Sequence, residues 1–180
     1  MPKFWVSPSQ VARFYFHECD RYLRYRSASK EQRALDDIPK FEVDRSLLTR
    51  AVLEGGSAWE ERLLDRHLAG RVLVADGNGA RPDRRHSADR TLELLATAGP
   101  GQVIYQPTLV APKTFYDRYG IDAALVSFTD CHPDLVMVEE GDDGIELRVV
   151  DAKASEMMKL SHRIQVGLYS ILLEHVVAEL

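Results

Sequence analysis

The sequence has little cysteine: only Cys19 and Cys131 occur among 180 residues. Two cysteines are too few for a disulfide framework, and we interpret both as reduced thiols of a cytoplasmic protein. No apolar run approaches the length of a membrane span. The first residues lack the apolar stretch and cleavage pattern of a signal peptide. These absences predict a cytoplasmic protein with no membrane partner.

Positive charge is also in short supply, since the formal net charge is −5. This balance argues against a protein that coats nucleic acid by bulk charge, although it leaves a local nucleic-acid site open. The chain has no Gly-rich phosphate loop, no zinc-finger spacing around His132 and His162, and no local Ser-His-Asp signature. With 45% hydrophobic residues, it is long enough to form one domain around a core of its own.

The N-terminal part of the chain has helical signals. Ser7, Pro8 and Gln10 form a capping-box pattern, which predicts a helix from about Pro8 to about Arg26. Its inward side is expected to contain Val11, Phe14, Tyr15, Tyr22 and Leu23. We expect residues 27–42 to be a polar connector. A second helix is expected from about Arg45 to Leu68, either interrupted or joined at Gly55-Gly56.

The rest of the chain alternates between strand and helix patterns. Residues 71–101 suggest a short strand at 72–74 and a helix at 88–98, with turn residues at 76–79. Strand character then appears at 103–105, at 108–110 and at about 121–128. Two apolar runs, 135–138 and 145–150, flank an acidic Gly-containing turn and predict a hairpin. Helical periodicity covers 157–180, so the fold class is mixed α/β.

Two acidic residues border the predicted hairpin. Asp134 opens one strand and Asp151 ends the other, and an antiparallel pairing brings these ends together. Lys153 shares a strand face with Asp151 because the two are two residues apart. Two carboxylates, helped by the backbone carbonyl of Ala152, suit a hard cation such as Mg²⁺. Lys153 is then placed to orient or deprotonate the water that a metal ion activates.

A second pair of polar residues lies on the last predicted helix. Gln165 and Tyr169 are spaced i, i+4 and share one helix face with His162. Beside a metal centre, an amide and a phenol suit the binding of a phosphate or the positioning of the lysine.

These residues carry a resemblance. Pro133-Asp134 followed by Asp151-Ala152-Lys153 resembles the signature of the PD-(D/E)XK nucleases. The segment from Gln165 to Tyr169 resembles the QxxxY element of their RecB-like branch, which includes helicase–nucleases and CRISPR-associated exonucleases. The stretch from Val6 to Cys19 is similar to the opening helix of such domains, and Gly56 to Glu60 is similar to their first core helix.

The resemblance implies a restriction-endonuclease-like core, in which helices flank a central mixed sheet. Residues 1–45 then form an N-terminal helical segment. Residues 46–180 form the nuclease core, with an insertion at about 71–101. The core of the family ends in a further strand, for which the sequence after the last helix leaves no residues, so we expect a fragment or a domain completed by a partner.

The resemblance also implies roles for individual residues. Asp134, Asp151 and Ala152 would hold Mg²⁺ or Mn²⁺, and Lys153 would be the catalytic lysine. Glu60 would be the helix carboxylate on the metal, with Glu61 as the alternative. Gln165 and Tyr169 would assist at the phosphate. Asp122 competes with Asp134 as the first aspartate of the motif, but it is too far from Asp151 for a simple hairpin.

One departure from the family concerns cysteine. Many relatives hold an iron–sulfur cluster through four cysteines, which this chain cannot supply. We therefore expect no iron–sulfur cluster and interpret Cys19 as a small buried residue.

The expected function is a Mg²⁺- or Mn²⁺-dependent deoxyribonuclease that acts on single-stranded DNA or DNA ends. The alternatives are an inactive nuclease-fold module that binds nucleic acid or protein, and an unrelated small α/β enzyme. By the resemblance, its partners include a larger helicase–nuclease, CRISPR or defence complex. The candidate phosphate contacts are Arg21, Arg24, Arg26, Arg81, Arg84 and Arg85.

Overall fold

A computed structural model of the chain describes residues 3–39, 46–75, 85–153 and 157–180. The predicted turn at 76–79 and the candidate contacts Arg81 and Arg84 lie outside these residues. The described ranges contain helices and strands in mixed order, which confirms the mixed α/β class. In chain order the elements are β1 (Phe4–Val6), α1 (Pro8–His17), α2 (Asp20–Ser27), α3 (Lys30–Leu35), α4 (Leu47–His67), β2 (Val72–Leu73), α5 (Ala88–Thr97), β3 (Val103–Tyr105), α6 (Lys113–Tyr119), β4 (Val126–Phe128), β5 (Leu135–Gly141), β6 (Gly144–Val150) and α7 (Leu160–Val177).

The larger sheet has four strands in the order β2-β3-β5-β6. β2 runs parallel to β3, whereas β5 pairs antiparallel with both β3 and β6. The predicted hairpin is confirmed: Leu135 pairs with Val150 at its open end, and Gly141 pairs with Gly144 at the turn. Gly144 has a φ of 137°, a backbone conformation that favours glycine, which explains glycine at this turn.

Helices cover both faces of this sheet. Side chains alternate between the faces of a strand, so each strand contributes to two clusters. One cluster joins the sheet to α7 and includes Ile104, Val136, Val149, Tyr169, Leu172 and Leu173. The other joins the sheet to α4 and consists of Leu64, Leu68, Val103, Tyr105 and Leu135. The sheet is therefore held between α4 and α7.

A second, two-stranded sheet ties the N-terminal segment to the rest of the chain. β1 runs parallel to β4, with Phe4 paired to Val126. The segment that sequence analysis expected to be helical thus begins with a strand. α1 packs against α7, so the first helix shares a partner with the sheet.

The single helix expected from Pro8 to Arg26 is wrong, because two helices meet at Glu18. The capping box at Ser7 is confirmed, but Glu18 adopts a left-handed φ of 48°, and its N–H donates to the Phe14 carbonyl at 2.6 Å. A non-glycine residue seldom adopts this conformation, so nothing local marks the break. Tyr15 and Cys19 are exposed, which corrects their expected burial.

Two short helices were missed. α3 falls in the expected connector and is capped by Ser29, whose hydroxyl accepts from the Gln32 N–H at 3.2 Å. α6 begins after Pro112 and ends at Gly120, whose φ is 63°. Proline before a helix and glycine after it are ordinary helix signals.

The strands expected near these residues are shorter than predicted. The extended piece expected at 121–128 is a strand only in β4. The strand expected at 108–110 is a single bridge between Leu109 and Cys131.

The longer helices agree with the sequence patterns. α4 continues through Gly55 and Gly56, which resolves the two alternatives in favour of a joined helix. α5 and α7 fall within their expected ranges. Among the helices of the described residues, none is both long and apolar enough to cross a membrane.

Candidate active site

The open end of the β5–β6 hairpin brings two aspartates together. Since Leu135 pairs with Val150, Asp134 and Asp151 are the next pair in the same antiparallel register. The N–H of Ala152 donates to Asp134 Oδ2 at 2.7 Å. Pro133, which precedes Asp134, is fully buried. The two halves of the proposed motif are therefore joined by a direct hydrogen bond.

Lys153 lies between the two carboxylates. Its Nζ donates to Asp151 Oδ1 at 2.8 Å and lies 3.6 Å from Asp134 Oδ2. Burial alone would lower the pKa of this amine, but the hydrogen bonds and charges of the two aspartates raise the pKa overall. The Asp151 side chain is only 3% exposed, so its charge depends on this ammonium group.

α4 adds a third carboxylate. Leu64 and Leu68 of this helix pack against Tyr105 and Leu135 of the sheet. Glu60 lies one helical turn before Leu64 and so points along the same face. Its charge acts on Asp134, which places Glu60 near the open end of the hairpin.

Burial and the neighbouring charges affect the protonation of Asp134. Its pKa is raised to about 7, with burial as the largest cause. The Lys153 charge opposes the rise, whereas a hydrogen bond with the carboxyl group of Asp151 and the charges of Asp151 and Glu60 contribute to it. Carboxylates that share a partly buried site commonly hold a proton in this way.

The last helix places an amide and a phenol beside these carboxylates. Gln165 Nε2 donates to the hydroxyl of Tyr169 at 3.1 Å, so the two residues share a helix face as their spacing predicts. Burial raises the pKa of Tyr169 to about 12, the hydrogen bond from Gln165 opposes this, and the charges of Asp151 and Asp134 add to it. Tyr169 is 5% exposed, so its hydroxyl faces the interior of the site.

Two carboxylate oxygens at the site have unmet hydrogen-bonding capacity. Glu60 Oε1 and Asp151 Oδ2 are buried and have no hydrogen-bond partner. Buried acceptors are rarely left in this state, and hard oxygen donors are the ligands that Mg²⁺ prefers. The donor set therefore fits a divalent cation.

The site does not present a complete ligand cluster. Across the part of the chain that the structure describes, no group of three or more His, Cys, Asp and Glu side chains is gathered so as to hold a metal ion. Mg²⁺ is commonly held by one or two carboxylates and several waters. Two aspartates thus remain a sufficient protein contribution.

Several other candidate residues lie in different surroundings. The carboxylate of Asp122 accepts from the Ala124 N–H at 2.8 Å in the turn before β4. Arg24 pairs with Asp36 at 3.0 Å, and the guanidinium of Arg26 lies 6.0 Å from the ring centroid of Tyr22. These side chains have local partners, which are ordinary surface contacts. Arg21 and Arg85 are exposed.

Sequence reasoning missed Gln106. Its N–H donates to the carbonyl of Asp134 at 2.8 Å, and its φ is 47°. A left-handed residue before a proline, here Pro107, is unusual, because proline favours extended backbone in the residue that precedes it. Strained backbone of this kind is often found at functional sites. The Gln-Pro pair was the only local signal in the sequence.

Comparison of the chain with family models, with curated proteins and with solved structures found no match. The function must therefore be inferred from the chemistry of the site itself.

Proposed function

We propose that the chain is a Mg²⁺- or Mn²⁺-dependent deoxyribonuclease with a site similar to that of RecB-like PD-(D/E)XK enzymes. The observation that carries the proposal is the junction at the hairpin end, where the Lys153 ammonium group lies 2.8 Å from an oxygen of Asp151 and 3.6 Å from an oxygen of Asp134. The order of helix α4, antiparallel strands β3, β5 and β6, and helix α7 supports a restriction-endonuclease-like core.

Each residue has a separate task in this proposal. Asp134 and Asp151 would hold the cation through carboxylate oxygens, and the carbonyl of Ala152 would add another oxygen. Glu60 would act on the same cation through a metal-bound water, since Mg²⁺ usually keeps several waters. A bound Mg²⁺ or Mn²⁺ would supply an activated water and charge stabilisation at the leaving oxygen.

Lys153 and the α7 pair act on the substrate side. The Lys153 ammonium group carries three N–H donors. One of them binds Asp151 and a second faces Asp134, so the third is available to orient the attacking water or to offset negative charge on the phosphate. Gln165 and Tyr169 would position the phosphate or the lysine, since the amide nitrogen of Gln165 and the phenol form a single hydrogen-bonded unit.

The test is cleavage of labelled single- and double-stranded DNA by the purified chain with Mg²⁺ or Mn²⁺. We expect Lys153→Ala to lower kcat by at least about 100-fold, the usual minimum for loss of a proton-transferring or charge-stabilising group. Arg148→Ala is the matched control, because Arg148 also pairs with a carboxylate of the hairpin, at 2.7 Å, but in the middle of the strands. Cleavage by Arg148→Ala should equal that of the unaltered chain.

The proposal fails if the unaltered chain leaves both DNA substrates intact with either metal. It also fails if Lys153→Ala cleaves as fast as Arg148→Ala.

One observation favours a second candidate, an inactive nuclease-fold module that binds nucleic acid or protein. The Lys153 ammonium group already pairs with both aspartates, and the site lacks a third gathered ligand among the described residues. DNA binding without cleavage, unchanged by Mn²⁺, would favour this module over the nuclease.

A further inference from the structure

A cavity opens directly beside the candidate active site. It has a volume of about 650 Å³ and lies between the end of β6 and the first turns of α7. Asp151 and Lys153 form part of its wall. An occupant of the cavity is therefore in contact with the groups that we propose to act on a phosphodiester.

The remaining wall is largely apolar and includes two methionine side chains. Met157 and Met158 are 74% and 72% exposed, and both line the cavity with Val166. Methionine is common at surfaces that bind varied partners, because it is flexible and polarizable. Such a wall suits a flat apolar ligand without demanding one particular hydrogen-bonding pattern.

Gly167 leaves the cavity open on its helical side. This glycine lies within α7, and a Cβ atom built on it meets no other atom within 4 Å. Glycine in a helix costs about 1 kcal/mol relative to alanine, and its backbone conformation here does not require glycine. The absence of a side chain gives a ligand access to the surface of the helix.

A guanidinium group borders the apolar wall. Arg163 lines the cavity beside His162, and its Nε lies 3.3 Å from the sulfur of Met158. A guanidinium group binds phosphate and stacks on flat rings. The cavity thus combines an apolar wall with a cationic group at its rim, and enzymes that bind an unstacked base hold it between aromatic or apolar side chains.

We infer, on the basis of the proposed function, that this cavity receives one unstacked base of a single strand whose adjoining phosphate lies at Asp151 and Lys153. A paired base must first leave the duplex, which has an energetic cost. The cavity therefore selects single strands and frayed ends, and the methionine wall makes this selection tolerant of sequence.

The test fills the cavity without touching the carboxylates. Gly167→Leu places a side chain in the open space. Gly55→Leu is the matched control, because Gly55 also lies within a helix and its added Cβ also meets no atom within 4 Å. Both changes remove a helical glycine, so both variants should fold at least as well as the unaltered chain.

Binding without metal isolates the contribution of the base. Fluorescence anisotropy in EDTA compares an oligothymidylate with an abasic strand that has the same number of phosphates. We expect the unaltered chain and Gly55→Leu to bind the oligothymidylate about 5- to 100-fold more tightly, as one stacked base provides. Gly167→Leu should bind both strands equally.

The inference is overturned if Gly167→Leu keeps the preference for bases, or if the unaltered chain shows none. Cleavage with Mn²⁺ separates this outcome from failure of the proposed function. If no variant cleaves DNA but only Gly167→Leu loses the base preference, the nuclease proposal fails and the base-binding cavity stands. If DNA is cleaved and Gly167→Leu keeps its single-strand preference, the cavity inference alone fails.

Discussion

Two ion pairs of the β5–β6 hairpin contain the same kinds of charged group in different surroundings. In the middle of the hairpin, Arg148 lies 2.7 Å from Glu139, and their side chains are 62% and 28% exposed. At the open end, Lys153 lies 2.8 Å from Asp151, and their side chains are 38% and 3% exposed. The first pair is close to water, where an ion pair contributes little. The second contains a buried carboxylate, which requires a cation.

The largest expected difference between the two ion pairs is in metal binding. Mn²⁺ at about 100 times its Kd should raise the free energy of unfolding by about 2.7 kcal/mol. We expect Asp151→Asn to abolish this stabilisation, because it removes a carboxylate whose Oδ2 has no partner. Thermal unfolding with and without Mn²⁺ measures the effect. Glu139→Gln is the control in the Arg148–Glu139 pair, and loss of stabilisation in that variant would locate the metal elsewhere.

The next effect concerns the ammonium group itself. Lys153→Met leaves two partly buried carboxylates without their cation, so we expect the free energy of unfolding to fall by about 1–3 kcal/mol. The lower part of this range applies, because Lys153 is 38% exposed and solvent screens its charge. Urea unfolding at pH 8 in EDTA measures the change. A variant as stable as the unaltered chain would show that the aspartates do not depend on Lys153.

A further effect should appear as a pH dependence. The folded chain holds the Asp134 proton with a pKa of about 7, against an ordinary value of 3.8. Unfolding thus releases a proton between these values, and the free energy of unfolding falls as the pH rises from about 4 to about 7. We expect Asp134→Asn to flatten this slope, measured by urea unfolding in EDTA.

Glu139→Gln is again the control and should keep the slope of the unaltered chain. Equal slopes in the unaltered chain and Asp134→Asn would mean that Asp134 titrates as an ordinary exposed carboxyl.

The smallest effect is expected for the exposed Arg148–Glu139 pair. Arg148→Met removes an exposed pair, so the free energy of unfolding should fall by less than about 1 kcal/mol. The difference should vanish in about 1 M sodium chloride, where charges are screened within about 3 Å. Urea unfolding at low and high salt provides the measurement. A larger loss of stability that persists in high salt would remove the contrast between the two ion pairs.

The hairpin could be predicted from the sequence because its signals are local. Apolar runs flank a short acidic turn with glycine at both ends, and this pattern alone sets the register that places Asp134 opposite Asp151. The spacing of Gln165 and Tyr169 likewise predicts the shared helix face on which a hydrogen bond joins them. Sequence reasoning therefore succeeded where a site is built from neighbours along one element.

Local patterns do not specify geometry that depends on distant packing or on unusual backbone. Glu60, which only the resemblance indicated, is positioned by the docking of Leu64 and Leu68 on the sheet. Glu18 and Gln106 adopt left-handed conformations without the glycine that usually indicates them. By contrast, α3 and α6 were missed although their capping residues were present.

The pairing of β1 with β4 has a consequence for the order of folding. Phe4 of β1 pairs with Val126 of β4, and α1 packs against α7. The ribosome therefore synthesises β4 and α7 long after the elements that pack against them. Contacts between residues so far apart in sequence require a large loss of chain entropy before they form. We expect the N-terminal helices to dock last, on a sheet that is already assembled. During synthesis, the apolar side of α1 therefore remains exposed until α7 has formed.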